Sequence, residues 1–73
     1  MDKEELLKQF GKNVKIERIK KDLTQEQLSE IMNVNQTYIS SVENGKENMS
    51  LGKVLELSQF IGTDINNLLE FKS

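Results

Sequence analysis

No cysteine, histidine or proline occurs among the 73 residues, and each absence removes a class of structure or chemistry. Without cysteine there is no disulfide, thiol nucleophile or thiolate ligand. Without histidine there is no side chain poised for proton transfer near neutral pH, and with both missing the usual zinc ligands are gone. No carboxylate pair, nucleophile with its base, or glycine-rich phosphate loop stands at convincing spacing. Neither an enzyme activity nor a cofactor, metal or small-molecule ligand is therefore expected. No apolar run reaches the roughly 18 residues that a bilayer span requires. The charged start Met1-Asp2-Lys3-Glu4-Glu5 leads into no signal-like apolar stretch, so the expected location is cytoplasmic, away from membranes. The length allows one domain over residues 1–73 with a modest core, since a chain this short buries only about 60% of its unfolded surface.

With no proline, four glycines, and apolar residues recurring at intervals of three and four, the pattern predicts an all-α fold of about five helices. The first runs from Lys3 to about Lys21, with Leu7, Phe10, Val14 and Arg18 along one face and Leu6 and Ile19 beside it. Thr24 stands three residues before Gln27 in a capping-box arrangement and opens a short second helix, whose apolar side is Leu28, Ile31 and Met32. Asn33 tolerates the left-handed backbone of a sharp turn, so Asn33-Val34-Asn35 can reverse the chain and leave Asn35 as the next cap. A third helix over 36–44 turns Ile39 and Val42 inward and ends at Gly45. The fourth follows Ser50 with Leu51, Val54, Leu55, Ser58 and Ile61 inward, up to Gly62. The fifth, capped by Thr63 or Asp64, faces Ile65, Leu68 and Leu69 inward.

Two short helices joined by so tight a turn must cross steeply, with apolar residues where they touch and a small one at the closest approach. Leu28, Met32, Val34, Ile39 and Val42 meet the first need and Ser29 the second. The third helix then presents Gln36, Thr37, Ser40, Ser41 and Asn44 outward, short neutral hydrogen-bonding groups on a rod that fits a major groove about 12 Å wide. Gln36 can pair with adenine through two hydrogen bonds, and Thr37 can offer a hydroxyl or meet a thymine methyl. Ser40 and Ser41 follow one turn later, with one of them able to point along the backbone instead. The net charge of −2 is unevenly spread: residues 1–22 hold seven Lys or Arg against five Asp or Glu, while 23–47 hold four Glu and only Lys46.

Residues 10–69 resemble the Xre/Cro-like helix-turn-helix family, which includes the phage lambda and 434 repressors. The resemblance rests on Arg18, the opening Leu23-Thr24-Gln25-Glu26-Gln27-Leu28, the close Tyr38-Ile39-Ser40-Ser41-Val42-Glu43-Asn44-Gly45-Lys46, and two trailing helices from Leu51 to Leu69. Ser29, Asn33, Met49 and Ser58 depart from the usual Ala, Gly, Pro and Ala in sterically compatible ways, and Phe60 is larger than the family norm. The resemblance implies a five-helix domain of the lambda-repressor type, acting as a homodimer on double-stranded DNA at a partly palindromic operator to regulate transcription. It implies phosphate contacts from Gln25, Asn35, Asn44 and Lys46, and an orienting ion pair between Arg18 and Glu43. Tyr38 has two uses open to it, a phosphate contact or a ring laid on the first helix. The run Thr37-Tyr38-Ile39-Ser40 is similar to restriction-modification controllers; phage or plasmid repressors and antitoxins are the neighbouring alternatives. Phe60, Ile61, Leu69 and Phe71 offer more apolar surface than so small a core can bury, which marks them as a dimer interface, unless Phe60 and Phe71 cap the monomer's own core from its rim. The acidic isoelectric point of about 5.1 favours a rival: a helical protein-interaction module that has lost DNA binding.

Overall fold

Each helix of the computed structural model, which describes residues 1–72, begins where the chain places a short oxygen-bearing side chain. Asp2 caps α1 (Lys3–Lys20), accepting the Glu5 N–H at 2.9 Å, and the acidic first turn and basic last turn complement the helix dipole. Thr24 caps α2 (Gln25–Met32) through a reciprocal box: the Gln27 N–H donates to Thr24 Oγ1 at 3.0 Å and the Thr24 N–H donates to Gln27 Oε1 at 2.8 Å. Asn35, Ser50 and Asp64 cap α3 (Gln36–Glu43), α4 (Leu51–Ile61) and α5 (Ile65–Leu68). The turn between α2 and α3 depends on Asn33 at φ 56°, and α4 stops at Gly62 at φ 84°.

The core is Phe10, Val14, Leu28, Ile39, Val42, Val54, Leu57, Ile61 and Leu68, drawn from all five helices. Ser29, the small residue expected at the α2–α3 crossing, is 4% exposed and donates its hydroxyl to the Glu26 carbonyl at 2.7 Å. Ser58 is likewise buried and bonded to the Leu55 carbonyl, so neither hydroxyl adds an unsatisfied group to the core.

Three expectations change. On α4, Leu51 and Leu55 are 72% and 45% exposed, and Leu57 takes the core position instead. Both stripes fit helical spacing, and the packing of α5 and α2 against α4 selects the one containing Leu57. Ile31 sits on the rim, 48% exposed, off the side of the eight-residue α2 that buries Leu28 and Ser29, and Val34, in the turn beyond that helix, is 36% exposed. Ile61, expected at a dimer interface, is 4% exposed and belongs to the core.

The C-terminal segment lies along α1. The Gln9 side chain both donates to the Lys72 carbonyl and accepts the Lys72 N–H at 2.8 Å, and Asn13 donates to the carbonyls of Leu68 and Glu70. Phe71 is thereby held half-buried beside Leu6, Leu7, Phe10, Met49, Leu51, Val54 and Leu69, on the rim of its own core.

Glu17 ties α1 to the turn before α5. The Thr63 hydroxyl donates to it at 2.8 Å, and Lys20 pairs with its other oxygen at 3.1 Å. The Thr63 bond, helped by Lys20 and Lys21, lowers the Glu17 pKa despite burial, which opposes it. A carboxylate depressed in the folded state adds stability above its unfolded pKa, about 4.3 for glutamate, and loses it as pH falls through the folded value. Thr63→Val is expected to raise that folded value, reducing stability near neutral pH while leaving it little changed at the acid end. Urea titrations from pH 7 down to about 3, spanning the glutamate range, check this; parallel curves for both proteins would remove Glu17 from the account.

Candidate nucleic-acid interface

The outward side of α3 is built by what its other sides must do. Ile39 and Val42 point into the core. Tyr38, half-buried, lines the cleft between α2, α3 and α4 with Met32, Val34, Met49, Lys53, Glu56 and Phe60, rather than lying on α1 as one expectation had it. Glu43 points to α1 and α2. Gln36, Ser40 and Asn44 then form one row at four-residue spacing, with Thr37 and Ser41 in the next. Gln36, Thr37 and Asn44 are exposed, whereas Ser40 and Ser41 are half-buried. The Asn44 amide stands 3.4 Å from the Ser40 hydroxyl, a long contact within the row.

The structure brings Arg18 and Glu43 together as the resemblance implied. Arg18 Nε donates to Glu43 Oε2 at 2.7 Å and Nη2 to Oε1 at 3.0 Å, a two-pronged pair with side chains only 9% and 3% exposed. Nη1 donates to the Leu23 carbonyl at 2.7 Å, so the same guanidinium also fixes the loop entering α2. The expected phosphate residue Gln25 joins this cluster: its Nε2 donates to Glu43 Oε1 at 3.1 Å. One carboxylate therefore holds side chains from α1 and α2 and sets the angle at which α3 emerges. Asn35 spends its side-chain oxygen capping α3 on the Thr37 N–H at 2.9 Å. Lys46 stands exposed just past Gly45, its backbone N–H bonded to the Ser41 carbonyl.

Sequence reasoning passed over Gly11. It lies in the middle of α1, buried against the backbone carbonyls of Val42 and Glu43, so close that no side chain fits between. The signal was available, since a glycine inside a long helix costs stability and commonly marks a close approach. The bond from Gln25 to Glu43 was also missed; nothing in the spacing distinguishes it from a solvent-facing glutamine. No group of acidic, histidine or cysteine side chains suited to a metal ion forms among the described residues.

A helix pair of this geometry, with the second helix braced on three sides and polar on the fourth, defines a helix-turn-helix DNA-binding protein. The helix-turn-helix family model matches residues 14–68, and the chain belongs to that family. It is a DNA-binding transcription regulator, in a family of regulators rather than of enzymes. Its relatives include the control protein C.SmaI of Serratia marcescens, 38% identical over 69 residues that cover 94% of this chain and 79% of that one. The control protein C.BamHI of Bacillus amyloliquefaciens is 35% identical over 63 residues, covering 85% and 78%. Among solved structures, the restriction-modification controller protein C.AhdI from Aeromonas hydrophila superposes with a TM-score of 0.83 at 29% identity, over 93% of this chain and 99% of that one.

Proposed function

We propose that this protein is a restriction-modification controller that acts as a homodimer in the cytoplasm, binding a partly palindromic operator with no catalytic step and no cofactor. The observation that carries this reading is the outward row Gln36–Ser40–Asn44, exposed at both ends and half-buried at Ser40, with Thr37 beside it, on a helix whose direction is set by the Arg18–Glu43–Gln25 cluster. Its likeness to control proteins over most of its length favours that class of regulator over others with the same fold. Gln36 and Thr37 reach base edges, Ser40 and Ser41 support them, and Gln25, Asn44 and Lys46 position the helix on phosphates. One eight-residue recognition helix reads too few base pairs to select a site alone, so a two-fold partner supplies the second half-site. Apolar side chains of α4 favour it as the contact surface: Leu51, Leu55 and Phe60 are all exposed, Phe60 at 43%. Leu69 and Phe71, half-buried on the rim, contribute their open edges.

Selection from random duplexes with the purified protein tests this. The expected outcome is two related half-sites centred about 34 Å, one DNA turn, apart. Recovery of unselected sequence with no salt-sensitive binding would instead support a module that contacts only proteins. On the selected duplex, Gln36→Ala is expected to cost about 1 to 3 kcal/mol and to relax specificity at one base position. Equal losses on selected and random DNA would take base reading away from Gln36.

A further inference from the structure

The recognition helix contains no lysine or arginine, and the chain carries a net charge of −2. Binding to a duplex nevertheless draws much of its affinity from cations that neutralise phosphates. The helix pair and its closing turn supply only Lys46. Other cations must come from a neighbouring element, and the packing singles out one edge of α1.

Three residues locate that edge. Lys8 lies against Gly45, where an added methyl group would sit 2.9 Å from the Lys8 Cα. Gly11 rests on the carbonyls of Val42 and Glu43. Arg18 grips the Glu43 carboxylate. Lys15 stands four residues after Gly11 and three before Arg18, so it rises from the same stripe of the helix. It is exposed, and its place on that stripe leaves its ammonium group within reach of the seam between α1 and the carboxyl end of α3. That end carries the negative pole of the helix dipole, which an ammonium offsets where a phosphate would otherwise be repelled. Lys8 is paired with Glu4 at 3.3 Å, but their side chains are 65% and 78% exposed, and so solvated a pair holds Lys8 only weakly. Lys12 shares a hollow with Lys8 but stands further round α1, toward the C-terminal segment, where it also lines a second hollow with Gln9, Asn13, Ile16, Glu70 and Lys72.

We infer that Lys15, supported by Lys8, contacts the DNA backbone beside the end of α3, extending the nucleic-acid surface from α3 and Lys46 onto α1. This rests on the DNA-binding reading above, and the comparison of Lys15 with Lys12 separates the two. Wild type, Lys15→Ala and Lys12→Ala are titrated with the selected duplex from about 50 to 200 mM salt. Both variants remove one charge from an exposed position on the same helix, so only location differs between them. Lys15→Ala is expected to lower the salt slope by about 0.9, which makes the affinity lost over that range about three- to fourfold smaller than for wild type. Lys12→Ala keeps the wild-type slope. A wild-type slope for Lys15→Ala, or equal changes in both variants, overturns the placement of DNA along this edge while leaving DNA binding itself intact. A wild type that binds no duplex overturns the DNA-binding reading, and this inference with it.

Discussion

Arg18→Ala is expected to cost about 3 to 5 kcal/mol, the loss that follows when one member of a buried ion pair is removed and the other stays charged. The side chains are 9% and 3% exposed, so water reaches the abandoned Glu43 carboxylate poorly. The substitution also leaves the Leu23 carbonyl without its donor. A domain this small, with total stability of about 5 kcal/mol at the lower end of the usual range, would then retain little margin, and a substantial unfolded population is expected at physiological temperature. The pair itself need not be a net source of stability, because desolvating both charges offsets most of their attraction. Replacing both, as in Arg18→Met with Glu43→Leu, is therefore expected to recover most of the loss. Its DNA affinity should stay low, since Gln25 would lose its anchor on Glu43 and α3 the contact that sets its direction. Chemical denaturation of the single and double variants, with a binding titration on each folded one, checks both halves. A cost below about 1 kcal/mol for Arg18→Ala would class the pair with solvated surface bridges.

How much of this was legible in the sequence depends on whether the determining signal is local. Thr24 with Gln27, Asn33, Asn35 and Gly62 act on their own or adjacent backbone, and the structure places each cap and turn accordingly. The row Gln36–Ser40–Asn44 followed from period alone once Ile39 and Val42 were turned inward. What stayed hidden depends on where a distant element returns. Leu55 and Leu57 both suit an inward stripe on α4, and only the arrival of α2 and α5 decides between them. Ile61 and Phe71 read as surplus apolar area in the sequence because the places they fill, in the core and on its rim, exist only once α5 and the C-terminal segment have folded back. The clamp from Gln9 and Asn13 that fixes that segment joins residues more than fifty apart in sequence, with no motif to announce it. The Arg18–Glu43 pair is equally long-range, and it was legible only because the resemblance to a known family carried it.

Gly11→Ala and Gly52→Ala are the same chemical change on two helices, and they are expected to act in opposite directions. Alanine is favoured over glycine within a helix by about 0.5 to 1 kcal/mol, since it has less backbone freedom to lose on folding. Gly52 lies exposed in the first turn of α4, where an added methyl group meets only the Ser50 hydroxyl at 4.0 Å. The propensity gain stands unopposed there, and a stabilisation of about 0.5 kcal/mol is expected. At Gly11 the methyl group would lie 2.5 Å from the Glu43 carbonyl oxygen and closer still to that of Val42. Those atoms belong to the α3 backbone and cannot swing aside as a flexible side chain would. The helices must separate, and the strain, typically about 1 to 3 kcal/mol for overpacking, exceeds the propensity gain. The displacement falls at the end of α3, between the Gln36 row and the Arg18–Glu43 pair, so loss of specific DNA affinity should accompany the loss of stability. Paired urea melts and binding titrations on the selected duplex give both readouts. Stabilisation by Gly11→Ala comparable to that by Gly52→Ala would show that α1 and α3 are not in backbone contact in solution, and would undo the account of how α3 is braced.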